Sequence, residues 1–116
     1  MASTIEEIAR AFSGHQFAEV YPHMAANVEW DLIGASPLRG QDAVIEACEQ
    51  SLDQLAETTT DFARFRAVVG SDAVVIDSLA TYTDANGEKS VVASCDIYDF
   101  AGGELIKITS YTLEVV

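Results

Sequence analysis

The stretch Val91-Val92-Ala93-Ser94-Cys95-Asp96-Ile97-Tyr98-Asp99-Phe100, followed by Ala101-Gly102-Gly103 and Glu104-Leu105-Ile106-Lys107-Ile108-Thr109-Ser110-Tyr111-Thr112-Leu113, decides the fold class. It reads as two long strands joined by a glycine turn. Strand residues alternate between two faces. On the first strand Val92, Ser94, Asp96, Tyr98 and Phe100 share one face. On the second, Ile106, Ile108, Ser110 and Thr112 share one. The opposite faces are also apolar: Val91, Ala93, Cys95 and Ile97, then Leu105, Tyr111, Leu113 and Val115. One face packs on helices. An apolar second face is rarely left bare in a monomer, so we expect a homodimer through the outer side of the sheet.

Working upstream, Asp84-Ala85-Asn86-Gly87 and Gly70-Ser71-Asp72 mark two further turns. They predict strands near 60–69, 73–83, 89–100 and 104–115, in a meander. On the second of these, Val74, Ile76, Ser78, Ala80 and Tyr82 share a face. The first half of the chain reads as helices. Ser3-x-x-Glu6 has capping-box spacing, and Ile5, Ile8, Ala9 and Phe12 follow on one helix face up to Gly14. A short second helix is predicted from about Gln16 to Met24, with Phe17, Val20 and Met24 inward and Pro22 awkward within it. A strand spans Asn27 to Ile33, and Gly34 to Gly40 is a loop. A third helix runs from about Gln41 to Glu57, with Val44, Ile45, Cys48, Leu52 and Leu55 as its apolar stripe. Helices followed by strands give an α+β domain over residues 1–116, its antiparallel sheet strongly curved around three helices.

Composition bounds the partners. A 116-residue chain with 49% hydrophobic residues can bury a core unaided. Its formal charge of −13 repels nucleic acid and anionic membranes, which leaves a small apolar molecule as the expected ligand. Cys48 and Cys95 lack metal or disulfide spacing, and the first residues have no basic or apolar run, so a cytoplasmic location is expected. His15 and His23 show no ligand spacing and read as surface histidines, and no metal is expected. No glycine-rich phosphate loop is present, and no cofactor is expected. Arg64 and Arg66 lie between aspartates, as an epoxide-hydrolase arginine would, but their parity separates them from Phe65, Ala67 and Val69.

Three stretches carry a family resemblance: Val28-Glu29-Trp30-Asp31-Leu32-Ile33-Gly34 with Pro37-Leu38-Arg39-Gly40 and Asp42-Ala43-Val44-Ile45; Arg66-Ala67-Val68-Val69; and Val91 to Phe100 with Gly103 and Leu105 to Ile108. In succession they resemble the nuclear transport factor 2-like superfamily, in its ketosteroid isomerase and SnoaL-like polyketide cyclase branches. The resemblance implies a cone-shaped α+β fold, commonly dimeric. It implies Asp31 as general base and Asp96 as the protonated acid of an oxyanion hole. That isomerase pairing is a standard illustration of two acids driven apart in pKa by their surroundings. One must be ionised to take a proton beside a carbonyl; the other must be neutral to hydrogen-bond the enolate. Phe12, Val44, Cys48, Ile76, Ser78, Tyr82, Ser94, Tyr98, Ile108 and Ser110 are the expected pocket lining. The tyrosine that the isomerases carry on their first helix has no counterpart, since Phe12 is the only aromatic there. Alternation on the first strand also groups Asp31 with Glu29, away from Val28, Trp30 and Leu32. Isomerase or cyclase chemistry is therefore one expectation; a non-catalytic metabolite-binding protein and a dimeric interaction domain with a filled pocket are the others.

Overall fold

The structure, a computed structural model, describes residues 3–115; positions 1, 2 and 116 of the expected domain lie outside the described residues. Helix α1 spans Ile5–Ser13. Its capping box falls one residue later than expected. The Thr4 N–H donates to Glu7 Oε1 (2.9 Å) and the Glu7 N–H donates to Thr4 Oγ1 (3.1 Å). Ser3-Thr4 followed by Glu6-Glu7 offers the same spacing twice, and Ile8, Ala9 and Phe12 set the register by turning into the core.

The predicted second helix is replaced by two 3-10 turns, Phe17–Glu19 and Tyr21–His23. Pro22 explains the break, because it cannot donate within a continuing helix. Met24 then begins strand β1 (Met24–Leu32), three residues earlier than predicted. The expected loop contains a two-residue strand, β2 (Leu38–Arg39), and α2 spans Gln41–Leu55. The remaining strands are β3 (Thr59–Val69), β4 (Ala73–Thr83), β5 (Lys89–Ala101) and β6 (Glu104–Val115). Gly102 and Gly103 both have positive φ, 59° and 83°, which suits the tight β5–β6 hairpin.

The six strands lie in the order β2-β1-β6-β5-β4-β3, with β2 and β3 as free edges. Four of the five strand pairings are antiparallel, but β1 lies parallel to β6, with Trp30 opposite Ile108. The sheet is therefore mixed, where the hairpin signals pointed to an antiparallel one. The parallel partner comes from the far end of the chain, and no local turn announces it.

Two bulges change which residues face the core. Between Phe62 and Arg64 the β3 register shifts by one, so Phe62 and Phe65 stand together with ring centroids 5.0 Å apart. Between Asp99 and Phe100 the β5–β6 register also shifts, leaving Ile106 unpaired and 37% exposed. Leu105 is fully buried in its place, contrary to the simple alternation that put Ile106 inside and Leu105 outside. The core lies between the concave side of the sheet and the two helices, around Phe12, Val28, Val74, Tyr98 and Ile108.

Candidate functional site

A cavity of about 350 Å³ opens between α1, α2 and the concave side of the sheet. Its walls are mainly apolar and aromatic: Phe12 and Phe17 from the N-terminal segment, Trp30 and Leu32 from β1, Phe62 from β3 and Val92 from β5. Ser51, Gln54 and Leu55 close one side from the last turns of α2. Among the described residues, no lysine or arginine lines it, and Asp96 is the one carboxyl group that does.

Asp96 sits mid-strand on β5, opposite Ser110 of β6 and Ile76 of β4. A chain of hydroxyls holds it. Ser13, the last residue of α1, donates through Oγ to Asp96 Oδ2 at 2.8 Å. With that proton committed, Ser13 Oγ accepts from the Tyr98 hydroxyl, 2.6 Å away. On the other side, the Trp30 indole Nε1 donates to Ser110 Oγ at 3.0 Å. Burial pushes the Asp96 carboxyl above the ordinary carboxylate range, while hydrogen bonds from Ser110, Ser13 and Tyr98 and the nearby His15 pull it back. Tyr98 is fully buried, and its hydroxyl is raised well above the ordinary phenol value by that burial and by Asp96.

His15 lines the same cavity and is not the surface residue expected from its place in a turn. Its ring packs near Phe17, Phe62 and Tyr82, and its Nε2 lies 3.4 Å from the Tyr82 hydroxyl. Burial lowers its proton affinity and Asp96 raises it in part. The Tyr82 hydroxyl is raised by burial and then by Asp96.

Of the expected site residues, Asp96, Phe12, Ser78, Tyr82, Ser94 and Ser110 line the cavity. Tyr98 stands behind Asp96 and reaches it through Ser13. Val44, Cys48, Ile76 and Ile108 do not line the cavity; they are fully buried core side chains. Each was expected from its parity or helix face, which cannot separate core from cavity wall. Burial pushes the Cys48 thiol up to about 12, which makes it an inert filler.

Asp31 is the largest correction. Trp30 and Leu32 face the cavity, so alternation turns Asp31 outward, opposite Thr109 of β6. It shares that side with Glu29, which pairs with Arg39 and Lys107 near the surface. The two aspartates expected to work together thus stand on opposite faces of the sheet. Arg64 and Arg66 likewise pair with Asp77 at 3.1 and 3.4 Å, away from the cavity lining. Sequence reading passed over Phe62, because the bulge reverses its parity, and Ser13, because a serine closing a helix normally signals an end and nothing more.

Among the described residues, no group of three or more His, Cys, Asp or Glu side chains is placed to hold a metal. No described helix is long and apolar enough to cross a membrane.

The sheet order and the cavity at its concave side define a nuclear transport factor 2-like fold. A crystal structure of such a protein, of unknown function, from Cytophaga hutchinsonii matches with a TM-score of 0.84 and 30% identity, over 97% of this chain and 99% of that one. A protein assigned as a SnoaL-like polyketide cyclase from Jannaschia sp. matches at 0.73 and 16%, over 93% and 83%. An epoxide hydrolase from M. tuberculosis, of the LEH-like type, matches at 0.67 and 13%, over 94% and 79%. Comparison with curated proteins returns no match. The SnoaL-like domain profile matches residues 5–111, and the chain belongs to that family.

Proposed function

We propose that this chain is an enzyme that enolises a small, uncharged, carbonyl-bearing substrate, with Asp96 as the acid that hydrogen-bonds the carbonyl oxygen. The observation that carries the reading is the position of Asp96: a lone carboxyl on an apolar cavity wall, held at Oδ2 by Ser13 and favoured in its protonated form by burial. A protonated acid in such surroundings stabilises a developing enolate far better than water does. The absence of lysine and arginine from the lining argues against an anionic substrate. The cavity volume lies at the small end of the roughly 300–1,000 Å³ typical of ligand pockets, which fits one or two fused rings. Isomerase and cyclase reactions both pass through such an enolate. Asp31, turned away from the cavity, has no part in this reading.

Turnover on a panel of enolisable ketones and β-keto esters tests it. Asp96→Asn should lower the rate by about 10²-fold or more, the usual contribution of a positioned acid. Turnover that survives this change intact overturns the role of Asp96. Ligands recovered unchanged, with no turnover on any of the panel, would favour a binding protein.

We also infer self-association through the outer face of the sheet. Ile33, Tyr111, Leu113 and Val115 are 50%, 49%, 68% and 43% exposed there. Ala93 and Cys95 join Ile33, Tyr111 and Leu113 in one shallow groove on that face. An apolar surface of this extent is normally covered by a partner.

A further inference from the structure

With Asp31 on the far side of the sheet, the cavity has an acid and lacks the expected base. The end of α1 supplies a candidate. The Gln16 N–H donates to the Ala11 carbonyl (2.8 Å) and the His15 N–H donates to the Phe12 carbonyl (3.1 Å). This is the Schellman pattern, in which the residue past the cap takes a left-handed backbone and is usually glycine. Here that residue is His15, with φ 67°, although Gly14 stands one place earlier with an ordinary φ of −86°. A bulky side chain is thus kept where the backbone resists one. Such positions gather at functional sites.

The conformation aims the imidazole into the cavity. Its ring lies 5.9 Å from the Tyr82 ring and its Nε2 lies 3.4 Å from the Tyr82 hydroxyl. Asp96 from β5 and Tyr82 from β4 are the titratable groups facing it; the N-terminal segment and β3 present Phe17 and Phe62. Burial holds His15 below the ordinary imidazole value, so near neutral pH the ring is uncharged and one nitrogen is free to accept a proton.

We propose that His15 is the base of this cavity, removing a proton from the carbon beside the substrate carbonyl while Asp96 protonates the carbonyl oxygen. The assignment rests on the reading of Asp96 given above. The C–H bond breaks and its electron pair becomes the C=C bond of the enol. The proton forms an N–H bond on His15. The carbonyl π pair takes the Asp96 proton as a new O–H bond, leaving a carboxylate beside an imidazolium. Reprotonation at another carbon isomerises the substrate, and attack of the enol carbon on a second carbonyl of the same molecule closes a ring. The step is redox-neutral and needs no co-reactant.

Deuterium uptake by 2-tetralone in D₂O, followed by proton NMR, provides the test. The unaltered chain should exchange the α-protons above the buffer rate. His15→Asn and His15→Gln should each lower the enzymatic rate by about 10²-fold or more. Asparagine tolerates the left-handed backbone, so the first variant keeps the helix ending. His23→Asn should leave the rate within about twofold, a margin far inside the effect expected of a base. Full exchange in both His15 variants, with loss in Asp96→Asn, overturns the assignment of His15 and leaves that of Asp96. Loss in Asp31→Asn with the His15 variants unaffected also overturns it. Equal rates in every variant, or no exchange by the unaltered chain, overturn both readings.

A second measurement is independent of turnover. The chain has two histidines, so the imidazole signals are assigned with His23→Asn. Because burial disfavours the charged ring, the His15 titration midpoint should lie below the ordinary imidazole value. A midpoint at or above that value would leave the ring charged where a base is needed and overturns the assignment.

Discussion

Ser13 Oγ, at the end of α1, donates a 2.8 Å hydrogen bond to Asp96 Oδ2 in the middle of β5, 83 positions along the chain. The same oxygen serves the buried Tyr98 hydroxyl. One small side chain therefore ties a helix end to the candidate acid and satisfies a core phenol.

Ser13→Ala should have two effects. The buried Tyr98 hydroxyl would lose its Ser13 bond and keep Asp96 as its neighbour, at a cost of about 0.5–1.5 kcal/mol in stability measured by urea unfolding. Asp96 would also lose a bond that favours its charged form, so its titration should move up. A pH–rate profile whose alkaline limb shifts upward in this variant is the expected result; a static limb would remove Ser13 from the control of Asp96.

Asp96→Asn should stabilise the fold at high pH. The folded-state pKa of Asp96 is raised above its unfolded value. The carboxyl therefore contributes stability that is fully present below the unfolded pKa and is lost as pH rises through the folded pKa. Asparagine removes that loss. Thermal melts should show the variant above the unaltered chain at about pH 8, with the gap closing toward about pH 3. A variant that melts lower throughout would mean that the hydrogen bonds of Asp96 outweigh its desolvation.

Substitutions at His15 should sort by backbone tolerance. Asparagine enters the left-handed region readily and valine does not. His15→Val should therefore be less stable than His15→Asn by about 1–2 kcal/mol. Equal stabilities in chemical denaturation would show that the helix ending relaxes when the imidazole is gone.

Leu113→Asp should abolish self-association. Leu113 is the most exposed large apolar side chain of the outer face, at 68%. Its side chain faces away from the cavity, so sedimentation velocity should report a monomer whose α-proton exchange rate matches that of the unaltered chain. A single species of unchanged mass in both proteins, already monomeric before substitution, would contradict the dimer.

Much of the architecture was legible because turns and alternation are local signals. The strands from Thr59 onward fall within a residue or so of their predicted bounds, and Gly102-Gly103 marks its hairpin in the sequence. The misreadings arise where position depends on distant partners. The parallel pairing of β1 with β6 leaves no trace near either strand. Bulges moved Phe62 and Leu105 inward against a strict period of two. Asp96 was legible through its apolar neighbours, but Asp31 was carried by resemblance against its own alternation with Trp30, and alternation prevailed. His15 lay hidden because nothing in a turn sequence says that a glycine-type position turns an imidazole toward a cavity.

The parallel seam between β1 and β6 also sets an order of events in the cell. The cavity draws His15 and Trp30 from the first third of the chain and Asp96 and Ser110 from its last quarter. Contacts so far apart in sequence form slowly. During synthesis, α1 and β1 emerge with their apolar faces bare and wait for β6 to leave the ribosome. The apolar surface that later lines the cavity stays exposed until β6 is made, and a chain ending before Ser110 lacks one wall of that cavity.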